Sequence, residues 1–185
     1  MKGGAMAQPI LKFPDYWSEA DLGDLPADGH RYEIVDGSLL VTPPPLDSHQ
    51  AISGNLYFIL RTAAPAGWRV LYEVGVRVPG GNFIPDLVVL KPDSARGVEW
   101  RESSDVALVI EIASRSTELV DRSLKVIKYA EAGIPNYWRI EGDGTVEVRA
   151  LTDGQYVMKG TIAPGEPAHL AEPFSVEFDP ANLTD

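Results

Sequence analysis

The chain has 185 residues and a mass of 20.1 kDa, a length that favours one domain over two. Its 44% hydrophobic and 23% charged residues exclude disorder as the default, and no apolar run is long enough for a membrane-spanning helix. The absence of cysteine excludes disulfides and thiolate chemistry, and the net charge of −11 argues against indiscriminate binding to nucleic acid or anionic membranes.

A polar N-terminal stretch precedes a predicted β-hairpin and a helix. The pair Asp36-Gly37 separates the apolar segments 31–35 and 38–41. Such a pair favours a two-residue type I′ turn, because both central residues of that turn need a positive φ. Apolar residues then recur at helical spacing over residues 48–63, which predicts an amphipathic helix.

The middle of the chain predicts strands. Apolar residues alternate with others from 70 to 78, which indicates one strand with a single buried face. The apolar run 83–90 is interrupted by Pro85-Asp86, and residues 91–105 are predicted to form a charged loop. Residues 106–112 are almost all apolar, as expected of a central strand that is covered on both faces.

The last part of the chain predicts a second helix and three more strands. The helix is expected at residues 117–132, with Leu124, Ile127 and Ala130 facing inward and Gly133 ending it. The strands are expected at residues 136–140, 145–151 and 155–162. This order of strands and helices predicts an α/β (α+β) fold, in which a mixed β-sheet is flanked by helices.

The pattern divides the chain into three segments. Residues 1–30 are an N-terminal extension, in which Tyr16, Trp17 and Leu22 are expected to dock a short helix on the body of the protein. Residues 31–162 form the domain of sheet and helices. Residues 163–185 are acidic and rich in proline, and we expect them to pack on the same domain.

Acidic residues are concentrated towards the two ends of the chain. Residues 1–48 carry a net charge of −5 and residues 141–185 one of −7, whereas residues 49–140 carry +1. A nucleic-acid ligand is therefore compatible with the middle of the chain, although flanking charges that only favour solubility would give the same distribution. The composition and the lack of a targeting segment lead us to expect a cytoplasmic protein.

Two carboxylates lie where apolar residues are expected. Asp86 interrupts one apolar run and Glu111 follows another. Because an unpaired buried carboxylate costs several kcal/mol, each needs a partner or a cation. The intervening segment is long enough to bring both to one sheet edge, where they would suit Mg²⁺ or Mn²⁺. The alternative is that each carboxylate pairs with an arginine or caps a loop.

The second predicted helix carries residues that can reach this edge. Asp121, Lys125 and Lys128 share one helix face. Asp121 and Lys125 could form only a surface ion pair. If the helix packs over the sheet, Lys125 instead reaches the carboxylates, where its ammonium would steady a phosphate oxygen or orient a water. Arg115 and Arg122 could hold phosphates, or belong to a solvated helix face.

Several short motifs follow one another in a specific order along the chain. They are Tyr32-Glu33-Ile34-Val35-Asp36-Gly37, His49-Gln50, Pro85-Asp86, Ile110-Glu111-Ile112-Ala113-Ser114, Ser116-Thr117, Asp121-Arg122, Lys125, Tyr129 and Gly133-Ile134-Pro135-Asn136-Tyr137-Trp138. This series resembles the Uma-type restriction endonucleases of the PD-(D/E)XK nuclease superfamily, over about residues 31–160. The resemblance implies a restriction-endonuclease-like fold, a mixed sheet flanked by helices.

The resemblance also implies a metal site and a catalytic lysine. Asp86 and Glu111 would bind Mg²⁺ or Mn²⁺, with the backbone carbonyl of Ile112 as a further ligand. The superfamily pattern has a lysine two residues after the glutamate, where this chain has Ala113. The family supplies that lysine from the following helix, so Lys125 would take the role.

The resemblance concerns five more residues. Glu33 would be a metal ligand or a water-orienting base, although packing within the hairpin would equally explain it. His49 and Gln50 open the first helix and would border the site, with helix capping as the simpler role for His49. Lys128 would substitute for Lys125, and Tyr129 is expected to fill the core or its rim.

The function implied by the resemblance is Mg²⁺-dependent endonuclease hydrolysis of phosphodiester bonds in DNA. Many nucleases of this type act as dimers that cut one strand per subunit, so a homodimer is an accompanying expectation. Ala113 and the acidic net charge favour an alternative, a catalytically weak or inactive nuclease-fold module that serves in DNA binding or assembly. A third interpretation is an acidic pair that binds a divalent ion for stability alone.

Overall fold

The computed structural model describes residues 14–114 and 120–184. Its α-helices are α1 (Glu19–Leu22), α2 (Asp47–Ala63) and α3 (Val126–Glu131), and a π-helical turn, Val120–Lys125, runs directly into α3. Its strands are β1 (Arg31–Val35), β2 (Ser38–Thr42), β3 (Arg69–Tyr72), β4 (Gly75–Val78), β5 (Gly81–Phe83), β6 (Leu87–Leu90), β7 (Trp100–Glu102), β8 (Val106–Ile112), β9 (Asn136–Ile140), β10 (Val146–Thr152), β11 (Gln155–Ile162), β12 (Ala168–Leu170) and β13 (Val176–Phe178). In the part of the chain that the structure describes, no helix is long and apolar enough to cross a membrane.

Most of the strands belong to two mixed sheets. The six-stranded sheet has the order β11-β10-β9-β8-β6-β3, and β8 and β9 pair in parallel within it. The five-stranded sheet has the order β2-β1-β5-β4-β7, with β4 and β7 parallel. Strands β12 and β13 form a separate antiparallel ribbon. The predicted fold class, α+β with a mixed β-sheet flanked by helices, is confirmed, although the strands divide between two mixed sheets where the sequence pattern predicts one.

Strand β8 lies at the centre of the structure. All of its residues are buried, and its two faces pack into different hydrophobic clusters. Leu108 and Ile110 belong to a cluster that includes Leu56 of α2, whereas Val109 belongs to one that includes Tyr129 of α3. Burial on both faces explains why the strand is almost entirely apolar.

The prediction of one strand over residues 70–78 is wrong, because this segment forms two strands in different sheets. Strand β3 pairs with β6 at the edge of the six-stranded sheet, and β4 pairs with β5 and β7 in the other sheet. Between them Glu73 has a φ of +42°, which redirects the chain. Val70, Val76 and Val78 are buried all the same, so the alternation of valines continues across the break and hides it.

Two other expectations differ from the structure. The predicted loop at residues 91–105 contains strand β7, which pairs with β4. Ile127 is 55% exposed, although the helical pattern predicts that it faces inward. The π-helical turn Val120–Lys125 accounts for the difference at Ile127, because its wider turn shifts the following residues away from the regular period of 3.6.

The predicted turn and helix end are confirmed by the backbone. Asp36 and Gly37 have φ angles of 45° and 79°, so both central residues of the β1–β2 turn take the left-handed conformation that a type I′ turn requires. Gly133 has a φ of 74° just after α3. Its amide donates to the carbonyl oxygen of Ala130, which satisfies one of the free carbonyls at the helix end.

The C-terminal residues pack against α2. Phe174, Val176 and Leu183 are buried in the same cluster as Ile52 and Leu56 of that helix. The side-chain amide of Asn55 also donates to the carbonyl oxygen of Leu183, at 3.2 Å. These contacts give α2 a second buried neighbour besides the six-stranded sheet.

Helix α2 offers a direct test of this packing. Leu56 is fully buried and Phe58, two residues further along the helix, is 71% exposed. We expect Leu56→Ala to lower the free energy of unfolding by about 2–5 kcal/mol, because it leaves a cavity. Phe58→Ala should change it by about 0.5 kcal/mol or less. Urea denaturation of both variants measures this, and equal losses would contradict the orientation of α2.

Candidate active site

A cleft with a volume of about 940 Å³ contains the predicted site. Its walls come from β1, the start of α2, the segments that precede β6 and β7, and the end of β8. Its lining includes Arg31, His49, Glu73, Asp86, Trp100, Glu111, Ile112 and Lys125. The two sheets therefore contribute to one concave surface.

The four predicted site residues reach this region from separate elements of the chain. They are Glu33 of β1, Asp86 immediately before β6, Glu111 of β8, and Lys125 at the end of the π-helical turn. All four are at most 3% exposed. Burying charged groups to this extent is costly unless they are paired, so their contacts determine whether the cluster is tolerated.

Lys125 is the centre of the first group of contacts. Its Nζ lies 2.9 Å from Oε1 of Glu33 and 3.3 Å from Oε1 of Glu111. The phenol of Tyr129 donates to the same Glu111 oxygen at 2.8 Å, and the amide of Ile84 donates to Oε1 of Glu33 at 2.7 Å. Burial and the nearby charge of Glu111 raise the pKa of Tyr129 well above its ordinary value, so the phenol stays protonated as a donor.

Asp86 is the centre of the second group. Its Oδ1 accepts a hydrogen bond from Nη2 of Arg31 at 2.9 Å, and its Oδ2 accepts one from the amide of Ile112 at 2.7 Å. Nε2 of His49 lies 3.2 Å from Oδ2. Burial by itself would raise the pKa of Asp86, but the hydrogen bond from His49 and the charge of Arg31 lower it to about 2.

Arg31 links Asp86 to the mouth of the cleft. The same Nη2 atom that contacts Asp86 lies 2.7 Å from Oε1 of Glu73, whose side chain is about half exposed. Burial opposes the charge of Arg31, but the carboxylates of Asp86, Glu111 and Glu33 raise its pKa. Glu73 is the residue with the positive φ between β3 and β4, so the strained backbone of a non-glycine residue lies at the site.

Two of the residues that the resemblance places near the site, Lys128 and Gln50, do not line the cleft. Lys128 lies 2.7 Å from Oδ1 of Asp36, in the β1–β2 turn, and does not line the cleft. Gln50 is exposed and is also not part of the lining. Ile112 contacts Asp86 through its amide, and a role of its carbonyl as a metal ligand stays a prediction.

Some of the proposed residues lie, wholly or in their side chains, outside the part of the chain that the structure describes. Arg115, Ser116 and Thr117 lie outside the described residues, and the side chains of Asp121 and Arg122 are also outside the description. For Lys125 itself, the buried contacts with Glu33 and Glu111 agree with the interpretation in which the helix packs over the sheet.

Sequence reasoning missed Arg31 and Glu73 as residues of the site, and it expected Tyr129 only to fill the core or its rim. Arg31 could have been found, because it is two residues from Glu33 in a strand and therefore on the same face. Tyr129 follows Lys125 by one helical turn and so lies on the same helix face. Its contact with the carboxylates could therefore also have been predicted from the helical spacing. Glu73 could not be predicted, because its position depends on the unforeseen break between β3 and β4.

The donor set of the cleft fits a divalent metal ion of the oxygen-binding kind. Oδ1 of Asp86 accepts one hydrogen bond within the described structure, which leaves a lone pair, and Oε2 of Glu33 is buried with no hydrogen-bond partner there. No set of three or more His, Asp and Glu side chains in residues 14–114 and 120–184 is already arranged around a metal position. Mg²⁺ needs only one or two carboxylates, because water and substrate phosphate complete its octahedron.

The fold is shared with a solved structure. It is similar to the crystal structure of a protein from Anabaena variabilis ATCC 29413 described as "a putative nuclease belonging to DUF820". The two share 17% sequence identity with a TM-score of 0.69, over 89% of this chain and 96% of that one. The likeness defines the class of fold, an α+β architecture of mixed sheets flanked by helices.

The family follows from the sequence. A family model described as "Putative restriction endonuclease" (Uma2) matches residues 20–184, which is most of the chain. The chain belongs to this family, as the motif series in the sequence indicates. No curated protein matches it.

The pKa of Asp86 predicts a dependence of stability on pH. A pKa lowered from 3.8 to about 2 means that the ionised carboxyl stabilises the folded state above about pH 4, and that this contribution disappears as the pH falls towards 2. The difference in unfolding free energy between the parent and Asp86→Asn should therefore shrink by about 2 kcal/mol between pH 5 and pH 2. Denaturant titrations across this range measure it. The exposed Asp93→Asn is the control, and an Asp86→Asn difference that is constant with pH would contradict the assignment.

Removal of the buried ammonium should be costly. Lys125→Met leaves Glu33 and Glu111 buried beside an apolar side chain, and we expect it to lower the unfolding free energy at pH 7 by about 3–5 kcal/mol. Lys128→Met removes the lysine that pairs with the more exposed Asp36, and should cost about 1 kcal/mol or less. Chemical denaturation compares the two variants, and similar costs would show that the Lys125 cluster is not energetically distinct.

Proposed function

We propose that this protein is a metal-dependent endonuclease that hydrolyses phosphodiester bonds in DNA. The observation that carries the proposal is the convergence of four buried charged residues from elements distant in sequence. Asp86, Glu111 and Lys125 line one cleft, and Glu33 contacts Lys125 at 2.9 Å without lining the cleft itself. Family membership supports the reaction class, and the buried charges supply chemical groups that fit it.

The energetic cost of the cluster supports a functional origin. Buried ion pairs are often no more stable than well-packed apolar residues of the same volume. Glu111 interrupts a strand that is otherwise apolar, and Glu33 has one carboxylate oxygen with no hydrogen-bond partner in the described structure. A protein under selection for stability alone would gain by replacing these groups. Their presence beside an open cleft is expected when the groups act on a ligand.

Asp86 and Glu111, with the carbonyl of Ile112, are the residues that would hold Mg²⁺ or Mn²⁺. When bound, such an ion lowers the pKa of a water molecule and offsets negative charge on the phosphate under attack. The hydrogen bond from the amide of Ile112 and the contact with His49 hold the carboxylate of Asp86 in one orientation. A fixed carboxylate reduces the rearrangement that binding requires.

The remaining residues would act on water and phosphate. Glu33 would be the base that accepts the proton of the attacking water, through its Oε2, which has no hydrogen-bond partner among the described residues. Because Glu33 does not line the cleft and contacts Lys125 at 2.9 Å, that water would have to reach it beside Lys125. The water oxygen then forms a bond to phosphorus while one P–O bond of the strand breaks, and the leaving oxygen takes a proton from solvent water. Lys125 would donate to the phosphate oxygens as negative charge develops, and Arg31 would contact the neighbouring phosphate from the mouth of the cleft.

A second candidate function rests on a specific observation. Asp86 is already engaged by Arg31 and His49, and Ala113 occupies the position of the usual superfamily lysine. Both features are compatible with a nuclease fold that binds DNA or assembles with it but cleaves poorly. The two functions differ in whether strand cleavage accompanies binding.

Nicking of supercoiled plasmid in Mg²⁺ or Mn²⁺ tests the proposal. We expect metal-dependent conversion to open circles, with Asp86→Asn, Glu111→Gln and Lys125→Met each lowering the rate at least about 100-fold, because each removes a group that meets the metal or the developing charge. Asp93→Asn, an exposed acidic residue outside the cleft, should retain the parent rate. Calorimetric titration with Mn²⁺ is an independent readout, in which Asp86→Asn and Glu111→Gln lose binding.

Three results would change the conclusion. A gel shift of DNA by the parent without any cleavage would favour the binding module. Mn²⁺ binding with neither a gel shift nor cleavage would favour a structural ion. Cleavage that persists in folded Asp86→Asn and Glu111→Gln variants would show that the reaction does not occur at this cleft.

A further inference from the structure

We infer that the cleft accepts a single-stranded polynucleotide and stacks one of its bases on the indole ring of Trp100. The inference rests on the proposed nuclease function and specifies the form of the substrate. It is carried by the position of Trp100, by the other planar groups at the mouth of the cleft, and by the charges of the lining residues.

Trp100 occupies a place in the cleft wall that a glycine makes available. It begins β7, pairs with Gly75 of β4 and lines the cleft. A Cβ atom on Gly75 would lie 2.3 Å from Cε3 of the indole, so the ring rests directly on the backbone of β4. The absence of a side chain at Gly75 thus allows the large ring to pack directly against the backbone of the sheet and still border the cleft.

Other planar and apolar groups lie along the same lining. The rings of His30 and Tyr32 have centroids 6.3 Å apart, and both side chains contact Asp28, which restrains them. Pro43, Pro44 and Pro45 also line the cleft. Rigid rings and prolines provide surfaces for bases and sugars at a low cost in conformational entropy. They are suited to nucleotides whose bases are not already stacked within a duplex.

The lining charges favour a single strand over a duplex. Among the described lining residues, the carboxylates are those of Glu73, Asp86, Glu99 and Glu111, whereas the lysine and arginine are Lys125 and Arg31. Both of these cations are in ion pairs with carboxylates. Proteins that bind duplex DNA through its backbone use about 6–10 phosphate contacts. Stacking is the stronger available source of affinity here, and it requires an unpaired base.

Binding to short oligonucleotides tests the inference. Fluorescence anisotropy compares a labelled single strand of about 12 nucleotides with its duplex, both as DNA and as RNA. Ca²⁺ replaces Mg²⁺ in these titrations, and a gel of the same samples checks that the strand is intact. We expect the single strand to bind at least about tenfold more tightly than the duplex. The emission of Trp100, obtained as the difference between parent and Trp100→Phe spectra, should change on binding.

Variants distinguish stacking from a structural effect. Trp100→Ala should weaken binding of the single strand about tenfold and leave the weak duplex binding nearly unchanged, whereas Trp100→Phe retains an aromatic face and should stay within about threefold of the parent. Phe58→Ala removes an exposed aromatic ring outside the cleft and is the matched control. If Trp100→Ala does not fold, Gly75→Ala, which displaces the indole, replaces it in the comparison.

Several results would overturn the inference. These are duplex binding as tight as single-strand binding, single-strand binding unaffected by folded Trp100→Ala, and binding of dTMP as tight as that of the strand. Plasmid cleavage that persists beside any of them would leave the nuclease function in place. Trp100-dependent binding of the single strand without cleavage would support the ligand and reject the catalytic proposal, so the two failures are distinguishable.

Discussion

The ion cluster around Lys125 is the interaction on which the site depends. A buried ammonium is tolerated only with partners, and here they come from β1 and β8, which belong to different sheets. The π-helical turn places Lys125 between those sheets, and Tyr129, one helical turn later, adds a donor to the same Glu111 oxygen. The cluster therefore joins the two sheets and the helix that leads from β8 to β9.

Asp86 is also a buried charge that is held by partners from separate elements of the fold. Its neighbours, Arg31 and His49, come from the five-stranded sheet and from α2, so Asp86, like Glu33 and Glu111, is held by residues distant in sequence. Arg31 is in turn held by Glu73, where the chain passes from one sheet to the other with a positive φ. A charged side chain at this strained position ties the sheet crossing to the electrostatics of the site.

The acidic character of the protein limits how it can hold a nucleic acid. The net charge of −11 and the carboxylates of the lining make broad electrostatic attraction to a duplex a poor source of affinity. Planar surfaces such as Trp100 act at short range and are little affected by net charge. The same Gly75–Trp100 packing that joins β4 to β7 thus shapes the wall that would meet a base.

The β1–β2 turn, the central strand and the end of α3 could be predicted from the sequence because each depends on the chemistry of neighbouring residues. The Asp36-Gly37 turn needs two residues that accept a positive φ, and strand β8 is apolar because both of its faces are buried. Gly133 ends α3 because glycine, which has no Cβ atom, takes a positive φ without a steric clash. The motif series led to the family and to the candidates Glu33, Asp86, Glu111 and Lys125. The division of residues 70–78 between two sheets could not be predicted, because apolar residues alternate in the same way before and after the break between β3 and β4.

The partners of Asp86 belong to the tertiary structure alone. Nothing in the chain near Asp86 indicates Arg31, His49 or the amide of Ile112, since these approach it from other strands and a helix. A residue's type reveals that a buried carboxylate needs a partner, but which group supplies it depends on how sheets and helices pack in space. The sequence therefore determined which chemical groups were available, and packing decided which of them meet, because ion pairs and hydrogen bonds act over distances that only the folded chain can set.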